Sequence, residues 1–147
     1  MNRIAELEKN VFTAAHIGPQ DVAFLARSGF GTIVCNRPDE ELEGEMKSVQ
    51  ARSLAARHGL AFHYLPVWNF DVADEVNVTA FRELLDSIKG PVLFYCRSGR
   101  RSTLLWAQAS AGRLGIDTVV SAAEQAGHDR ETVHTLVSAN AGLELAA

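Results

Sequence analysis

The sequence has few of the features that mark membrane, secreted and redox-paired proteins. It contains only two cysteines, Cys35 and Cys96, which lie far apart and form no Cys-x-x-Cys pair. No apolar run approaches the roughly 20 residues that a membrane span requires, and the first ten residues have no apolar core of the signal-peptide type. We therefore expect a cytoplasmic protein with free thiols and no membrane partner.

Excess positive charge, zinc-binding spacing and internal repeats are missing as well. The net charge of −4 gives no support for a nucleic-acid partner. The five histidines form no recognisable zinc spacing with cysteines or acids, so we expect no metal. No repeat, low-complexity tract or linker interrupts the chain, and 47% of its residues are hydrophobic, which is enough for a core. We predict one domain over residues 1–147.

Apolar runs alternate with amphipathic stretches along the chain. The pattern predicts strands over residues 11–14, 31–35, 60–67 and 92–95, the first of them weak. It predicts helices over residues 19–29, 46–59, 78–88 and 102–112, followed by two short helices capped by Asp117 and Asp129. This order indicates an α/β fold with a mostly parallel central sheet flanked by helices. Functional sites in such sheets form at the carboxyl ends of the strands, where residues 36–45, 68–75 and 96–102 would meet.

The most informative stretch is residues 92–103, where a buried strand ends in Cys96 and a loop leads into a helix. The loop consists of Arg97, Ser98, Gly99, Arg100 and Arg101. Backbone N–H groups at a helix start favour negative charge, and arginines add to the effect, so Cys96 should be a nucleophilic thiolate. The same loop would hold an oxyanion. An inert core thiol is the alternative, but three neighbouring arginines would then have no anion to bind.

The loop residues divide into expected roles. Arg101 is the best candidate for a bidentate clamp on a bound oxyanion, whereas Arg97 and Arg100 either bind the anion directly or attract it from a distance. Gly99 would let the backbone turn its N–H groups inward through a positive φ. Ser102 either hydrogen-bonds the thiolate or caps the helix. Together these residues predict a small anionic substrate, with no metal or organic cofactor required.

The other candidate residues lie at the ends of the neighbouring strands. Asp71, in the loop after the third predicted strand, could act as a general acid. Asp74 and Glu75 compete with it for that role. Cys35 ends the second predicted strand and is either a buried strand cysteine or a thiol that forms a disulfide with Cys96 under oxidation.

At these residues the chain resembles the bacterial phosphatase-like family whose domain also occurs in β-lactamase-hydrolase-like proteins. The resemblance covers about residues 11–140, and residues 32–39, 63–67 and 90–102 carry it. That family is related to the dual-specificity cysteine phosphatases, so the resemblance implies their α/β fold. It also implies that Cys96 is the nucleophile, Arg101 the phosphate clamp and Asp71 the acid. Ser102 would supply the hydroxyl that helps to expel the thiol.

Two positions depart from that phosphatase pattern. Four residues, 97–100, separate Cys96 from Arg101 where such phosphatases have five, and Tyr95 stands where they usually have histidine. The Cys-Arg-Ser-Gly-Arg-Arg-Ser string is also similar to the active loop of rhodanese-type sulfurtransferases. Three functions therefore follow. The first is a phosphatase-like hydrolase acting on a phosphate ester or phosphoprotein; the second is a sulfurtransferase that takes sulfur from a sulfane-sulfur donor. The third is a non-catalytic anion- or partner-binding module.

Overall fold

The computed structural model describes residues 4–146, with side chains through residue 140, and places five strands in one sheet. The strands are β1 (Ile4–Glu8), β2 (Val11–Ala14), β3 (Thr32–Cys35), β4 (Ala61–Tyr64) and β5 (Val92–Tyr95). The helices are α1 (Pro19–Arg27), α2 (Ser48–Arg57), α3 (Glu75–Ser87), α4 (Arg100–Leu114), α5 (Ile116–Gln125) and α6 (Arg130–Ala146). None of these helices is both long enough and apolar enough to cross a membrane.

The sheet has the order β1-β2-β5-β3-β4. Strand β5 is paired in parallel with β2 on one side and with β3 on the other, and β3 is paired in parallel with β4. Only β1, at the edge, pairs antiparallel among these strands. The predicted α/β fold with a mostly parallel sheet is confirmed.

The sheet separates two apolar cores, and β5 contributes to both because it is buried on each face. Val92 and Phe94 pack with α3, α4, α5 and α6, whereas Leu93 and Tyr95 pack with α1 and α2. Strands covered on both faces appear in sequence as continuous apolar runs, which is why β5 could be predicted. Helix α4 is buried throughout residues 101–110, so its first turn is held rigidly against the end of β5.

Strand β1 was not predicted from the sequence. Glu6, Leu7 and Glu8 alternate charged and apolar side chains, as is common at a sheet edge, and Asn10 makes the turn into β2 with a φ of 69°. Glu8 ties this edge to the core, because its carboxylate accepts hydrogen bonds from the indole N–H of Trp106 at 2.9 Å and from Arg113 at 2.8 Å.

Two predicted boundaries near the site are wrong. Strand β4 ends at Tyr64 instead of continuing to Val67. The N–H groups of Leu65 and Val67 donate to Cys35 and Asn36 at 2.9 Å, so the donors advance by two residues while the acceptors advance by one, and the regular ladder stops. Helix α4 begins at Arg100, two residues earlier than predicted, because Gly99 already makes the turn into it. The loop after Cys96 is correspondingly short.

Candidate active site

The carboxyl ends of β3, β4 and β5 bring the three predicted loops together. Arg101 reaches across to Glu41 in the loop after β3, and the same guanidinium donates to the carbonyl of Val67 after β4. Ser102 meets Asn36, the first residue beyond β3. The loop of residues 36–45 is therefore in direct contact with the Cys96 loop. The loop of residues 68–75 begins directly after Val67, whose carbonyl Arg101 contacts.

The base of the Cys96 loop is fixed by an extension of the sheet ladder. The N–H of Cys96 donates to Ala14 at 3.4 Å, and the N–H of His16 donates to Arg97 at 3.3 Å. Gly99 then turns the chain with a φ of 89°. A Cβ at Gly99 would lie 3.4 Å from the carbonyl carbon of Ala14, an ordinary van der Waals contact, so the positive φ is what favours glycine here.

The sulfur of Cys96 lies inside a ring of backbone amides. The N–H of Gly99 donates to Sγ at 3.2 Å. Among the described residues, no protein acceptor takes the N–H groups of Arg97, Ser98, Arg101 or Ser102. Unpaired amides at the start of a 15-residue helix favour negative charge, and we call these four N–H groups the cradle. The sulfur itself has 0% exposed surface, because the loop covers it in this conformation.

The guanidinium of Arg101 is almost completely buried, at 2% exposure, and its two terminal nitrogens are engaged by protein oxygens. Nη1 and Nη2 donate to the two carboxylate oxygens of Glu41 at 2.7 and 2.8 Å, and Nη1 also donates to Val67 at 2.9 Å. Sequence analysis predicts that this arginine clamps an oxyanion. The structure shows its two terminal nitrogens bound to Glu41, which leaves the Nε–H and one N–H of Nη2 without a hydrogen-bond partner among the described residues.

Glu41 holds a second buried arginine and completes a neutral network. It pairs with Nε of Arg37 at 3.3 Å, and Arg37 pairs in turn with Glu45 at 2.6 Å. Burial raises the pKa of Glu41, but the hydrogen bond and charge of Arg101, followed by those of Arg37, outweigh it and hold the pKa below its usual value. Sequence reasoning missed Glu41; the only signal was the run of acids over residues 39–41.

The hydroxyl of Ser102 is buried and donates to Oδ1 of Asn36 at 2.8 Å. Asn36 is itself held by the carbonyl of Leu65 at 3.0 Å. The helix-capping interpretation of Ser102 is wrong, because α4 begins at Arg100 and Gly99 precedes it. Asn36 is a second residue that the sequence did not single out.

The two remaining loop arginines are exposed and lie on opposite sides of the loop. Neither Arg97 nor Arg100 forms an ion pair with any described residue. Arg97 lines a polar cavity of about 360 Å³ together with Arg37, Glu41 and Glu45. Arg100 lines a cleft on the other side, described below. Their charges are free to attract an anion toward the loop.

The three candidate acids have different environments. Asp74 caps α3, since its carboxylate accepts the N–H of Val76 at 2.9 Å. Glu75 is the exposed first residue of that helix. Asp71 is half-buried at the end of a short 3-10 turn, and no described residue donates a hydrogen bond to its carboxylate. Asp71 is therefore the acid with no structural role of its own.

Cys35 lies in the α1–α2 core, on the same sheet face as Tyr95. Its thiol contacts the carbonyl of Arg37 at 3.4 Å, and burial raises its pKa to about 11. Strand alternation turns Cys35 away from the side on which Cys96 meets α4. The structure favours the buried-cysteine interpretation over a disulfide-forming thiol.

Within residues 4–146 the structure contains no group of three or more His, Cys, Asp or Glu arranged to hold a metal ion. The site has instead the composition of an anion site: amides, arginines and one thiol.

Comparison with protein families matches residues 4–113 to the phosphatase-like domain of β-lactamase hydrolase-like proteins. The chain belongs to this family of phosphatase-like domains. It is 27% identical over 129 residues to a β-lactamase hydrolase-like protein of Xylella fastidiosa, an alignment that covers 86% of this chain and 30% of that protein. The chain thus spans less than a third of the length of this curated relative. The resemblance inferred from sequence is confirmed.

Solved structures of this phosphatase-like domain's relatives support the same assignment. A candidate phosphatase of Neisseria meningitidis is 31% identical, with a TM-score of 0.78, and the match covers 90% of this chain and 97% of that one. The kinase-associated phosphatase, solved with its catalytic-site cysteine replaced by serine, has a TM-score of 0.69 at 15% identity over 84% of this chain and 83% of that one. The second similarity shows a shared fold. None of these relatives is named as a sulfurtransferase.

Proposed function

We propose that this phosphatase-like domain hydrolyses phosphate monoesters, free or on a protein, with Cys96 as the nucleophile. The observation that carries the proposal is the loop itself: a sulfur that already accepts one N–H, four more amides without protein acceptors, and a buried arginine beside it. Such an arrangement stabilises the equatorial oxygens of a phosphoryl group during transfer.

The reaction has two steps. The thiolate of Cys96 attacks phosphorus, so that an S–P bond forms, the ester P–O bond breaks, and Asp71 gives its proton to the leaving oxygen. Water then attacks the thiophosphate and gives a proton to the Asp71 carboxylate. The S–P bond breaks, inorganic phosphate leaves, and the thiolate is restored. No metal or organic cofactor takes part.

The burial of Cys96 imposes one requirement on this mechanism. A phosphorus atom reaches the sulfur only if the exposed segment of Arg97 and Ser98 moves outward when substrate binds. We expect iodoacetamide at pH 7 to alkylate Cys96 in the folded protein, and inorganic phosphate to protect it. Cys35 should stay unmodified because its pKa is raised to about 11. Peptide mapping by mass spectrometry measures both sites; a Cys96 that reacts only after denaturation would refute the nucleophile.

Asp71 should be the acid, and its replacement separates it from its competitors. We expect Asp71→Asn to lower kcat for phenyl phosphate by about 10²- to 10⁴-fold, because phenolate leaves poorly without a proton. The loss should be smaller for p-nitrophenyl phosphate, whose leaving group is a much weaker base. Glu75→Gln, an exposed acid four residues away, is the matched control. A larger loss in the control than in Asp71→Asn would move the assignment to Glu75.

Sulfur transfer is the second candidate, and the short loop is the observation that favours it. With only four residues between Cys96 and Arg101, the cradle is smaller than in the related phosphatases. In this reaction the thiolate takes the outer sulfur of thiosulfate and releases sulfite; cyanide then removes that sulfur as thiocyanate. No general acid is needed, so Asp71→Asn would have little effect.

The deciding experiment measures wild-type turnover of p-nitrophenyl phosphate and of thiosulfate with cyanide under the same conditions. We expect phosphate release to exceed thiocyanate formation. Thiocyanate formation without ester hydrolysis would replace the first proposal with the second. A folded protein that binds phosphate but turns over neither substrate would support the third function, a non-catalytic anion-binding module.

A further inference from the structure

A cleft of about 500 Å³ lies beside the Cys96 loop, between the first turns of α4 and α6. Its apolar lining residues are Val72, Leu104 and Leu136, and its polar and charged ones are Arg100, Asp129, Glu131, Thr132 and Thr135. Leu104 is buried and Val72 and Leu136 are half-buried, whereas the arginine and both threonines are exposed. The cleft thus combines an apolar surface with exposed polar side chains, and its volume is within the range of sites for small organic ligands.

The cleft is continuous with the proposed active site. Arg100 belongs to the Cys96 loop and also lines the cleft, and Leu104 lies one helical turn further on the same face of α4. Val72 follows Asp71 directly, and its carbonyl accepts a hydrogen bond from Gln108 of α4 at 2.9 Å. The segment that carries the proposed acid is therefore fastened to the wall of this cleft.

The cavity on the other side of the loop has the opposite character. It is lined by polar and charged residues, and no large apolar side chain contributes; besides Ala15 they are His16, Arg37, Arg97, Glu41, Glu43 and Glu45. With no large apolar side chain, this cavity would give little to an apolar group. Of the two openings beside the loop, only the α4–α6 cleft adjoins the segment of Asp71.

We propose that this cleft receives the leaving group of the phosphate ester, and that its chemistry selects an aromatic or comparably apolar leaving group. The inference rests on the proposed function, since in-line attack by Cys96 places the leaving oxygen on the side of the acid. Val72, Leu104 and Leu136 provide apolar contact, and the guanidinium of Arg100 can stack on a ring. The preference among leaving groups is then set in part by α6, which lies outside the Cys96 loop.

Thr135 is the position at which to test this proposal, because it is an exposed helical residue that lines the cleft. Thr135→Trp should fill the cleft without burying a polar group. His134→Trp places the same side chain on the same helix at an exposed position outside the cleft, and serves as the matched control. Circular dichroism and thermal unfolding confirm that each variant is folded.

Binding is measured by calorimetry with phenyl phosphate, 2-naphthyl phosphate and phosphoethanolamine, using Cys96→Ser protein so that no ligand is consumed. We expect 2-naphthyl phosphate to bind about tenfold more tightly than phenyl phosphate, because the second ring is buried in the cleft. Thr135→Trp should abolish that advantage and His134→Trp should keep it. Equal binding of the two esters, an advantage unaffected by Thr135→Trp, or tightest binding of phosphoethanolamine would overturn the proposal.

Hydrolysis of the two aryl esters by the wild-type protein tests the phosphatase proposal independently of the cleft proposal. If the wild-type protein hydrolyses neither aryl ester, the phosphatase proposal fails, while the binding data still decide whether the cleft holds the ring. If it hydrolyses both esters and Thr135→Trp does not change their relative KM values, the cleft proposal fails and the phosphatase proposal stands.

Discussion

Cys96→Ser should abolish ester hydrolysis while leaving anion binding intact. The serine hydroxyl is a far weaker nucleophile than a thiolate, so we expect kcat to fall by at least about 10³-fold. The four unpaired amides and Arg101 do not depend on the sulfur, and a neutral serine hydroxyl adds no charge that would repel the anion. Inorganic phosphate should therefore bind the variant as tightly as the wild type or more tightly.

Steady-state hydrolysis of p-nitrophenyl phosphate and calorimetric titration with phosphate measure the two quantities. Cys35→Ser is the matched control: it removes the other thiol from the neighbouring strand and should retain activity, because Cys35 lies in the opposite core. Hydrolysis that survives in Cys96→Ser would exclude the covalent mechanism. Loss of phosphate binding in a folded Cys96→Ser protein would show that the cradle is not the anion site.

The parts of the fold that could be predicted are those whose residues are neighbours in sequence. Strand β5 is a continuous apolar run because both of its faces are covered, and the Cys96 loop follows it without interruption. The alternating charges of β1 match those of an exposed loop equally well. What distinguishes β1 from an exposed loop is its hairpin with β2 and the contact of Glu8 with Trp106, neither of which is visible in the sequence.

The partners of the loop could not be predicted, because they depend on strand order. Placing β5 beside β3 brings Glu41 to Arg101 and Asn36 to Ser102 across 60 and 66 positions of sequence. From sequence, the acids at residues 39–41 are equivalent members of a loop. In the structure only Glu41 reaches both buried arginines, while Asp39 accepts hydrogen bonds from Ser48.

These contacts change the expected role of Arg101. In this geometry Glu41 holds both terminal nitrogens, so a bound phosphate meets the Nε–H, the remaining N–H of Nη2 and the loop amides first. Glu41 thus fixes the guanidinium beside the cradle and neutralises part of its charge. The long-range attraction of an anionic substrate then falls to the exposed Arg97 and Arg100.

Glu41→Ala should destabilise the protein more than any other single loop substitution discussed above. It removes the carboxylate with which Arg101, at 2% exposure, is paired, and it leaves Arg37, at 6% exposure, paired with Glu45 alone. Breaking a buried ion pair in this way costs about 3–5 kcal/mol, because a charge is left uncompensated. Activity should fall as well, because Arg101 is no longer held beside the cradle. Denaturant unfolding and steady-state kinetics measure the two losses.

The pH dependence of stability tests the same network with less structural change. Because the pKa of Glu41 is lowered in the folded state, its contribution is present above the ordinary pKa of glutamate, about 4.3, and is lost as pH falls through the folded value. The difference in unfolding free energy between wild type and Glu41→Gln should therefore shrink between pH 6 and pH 3. Glu43→Gln, an exposed acid of the same loop, should show no such trend. A constant difference for Glu41→Gln would mean that its charge does not hold the two arginines.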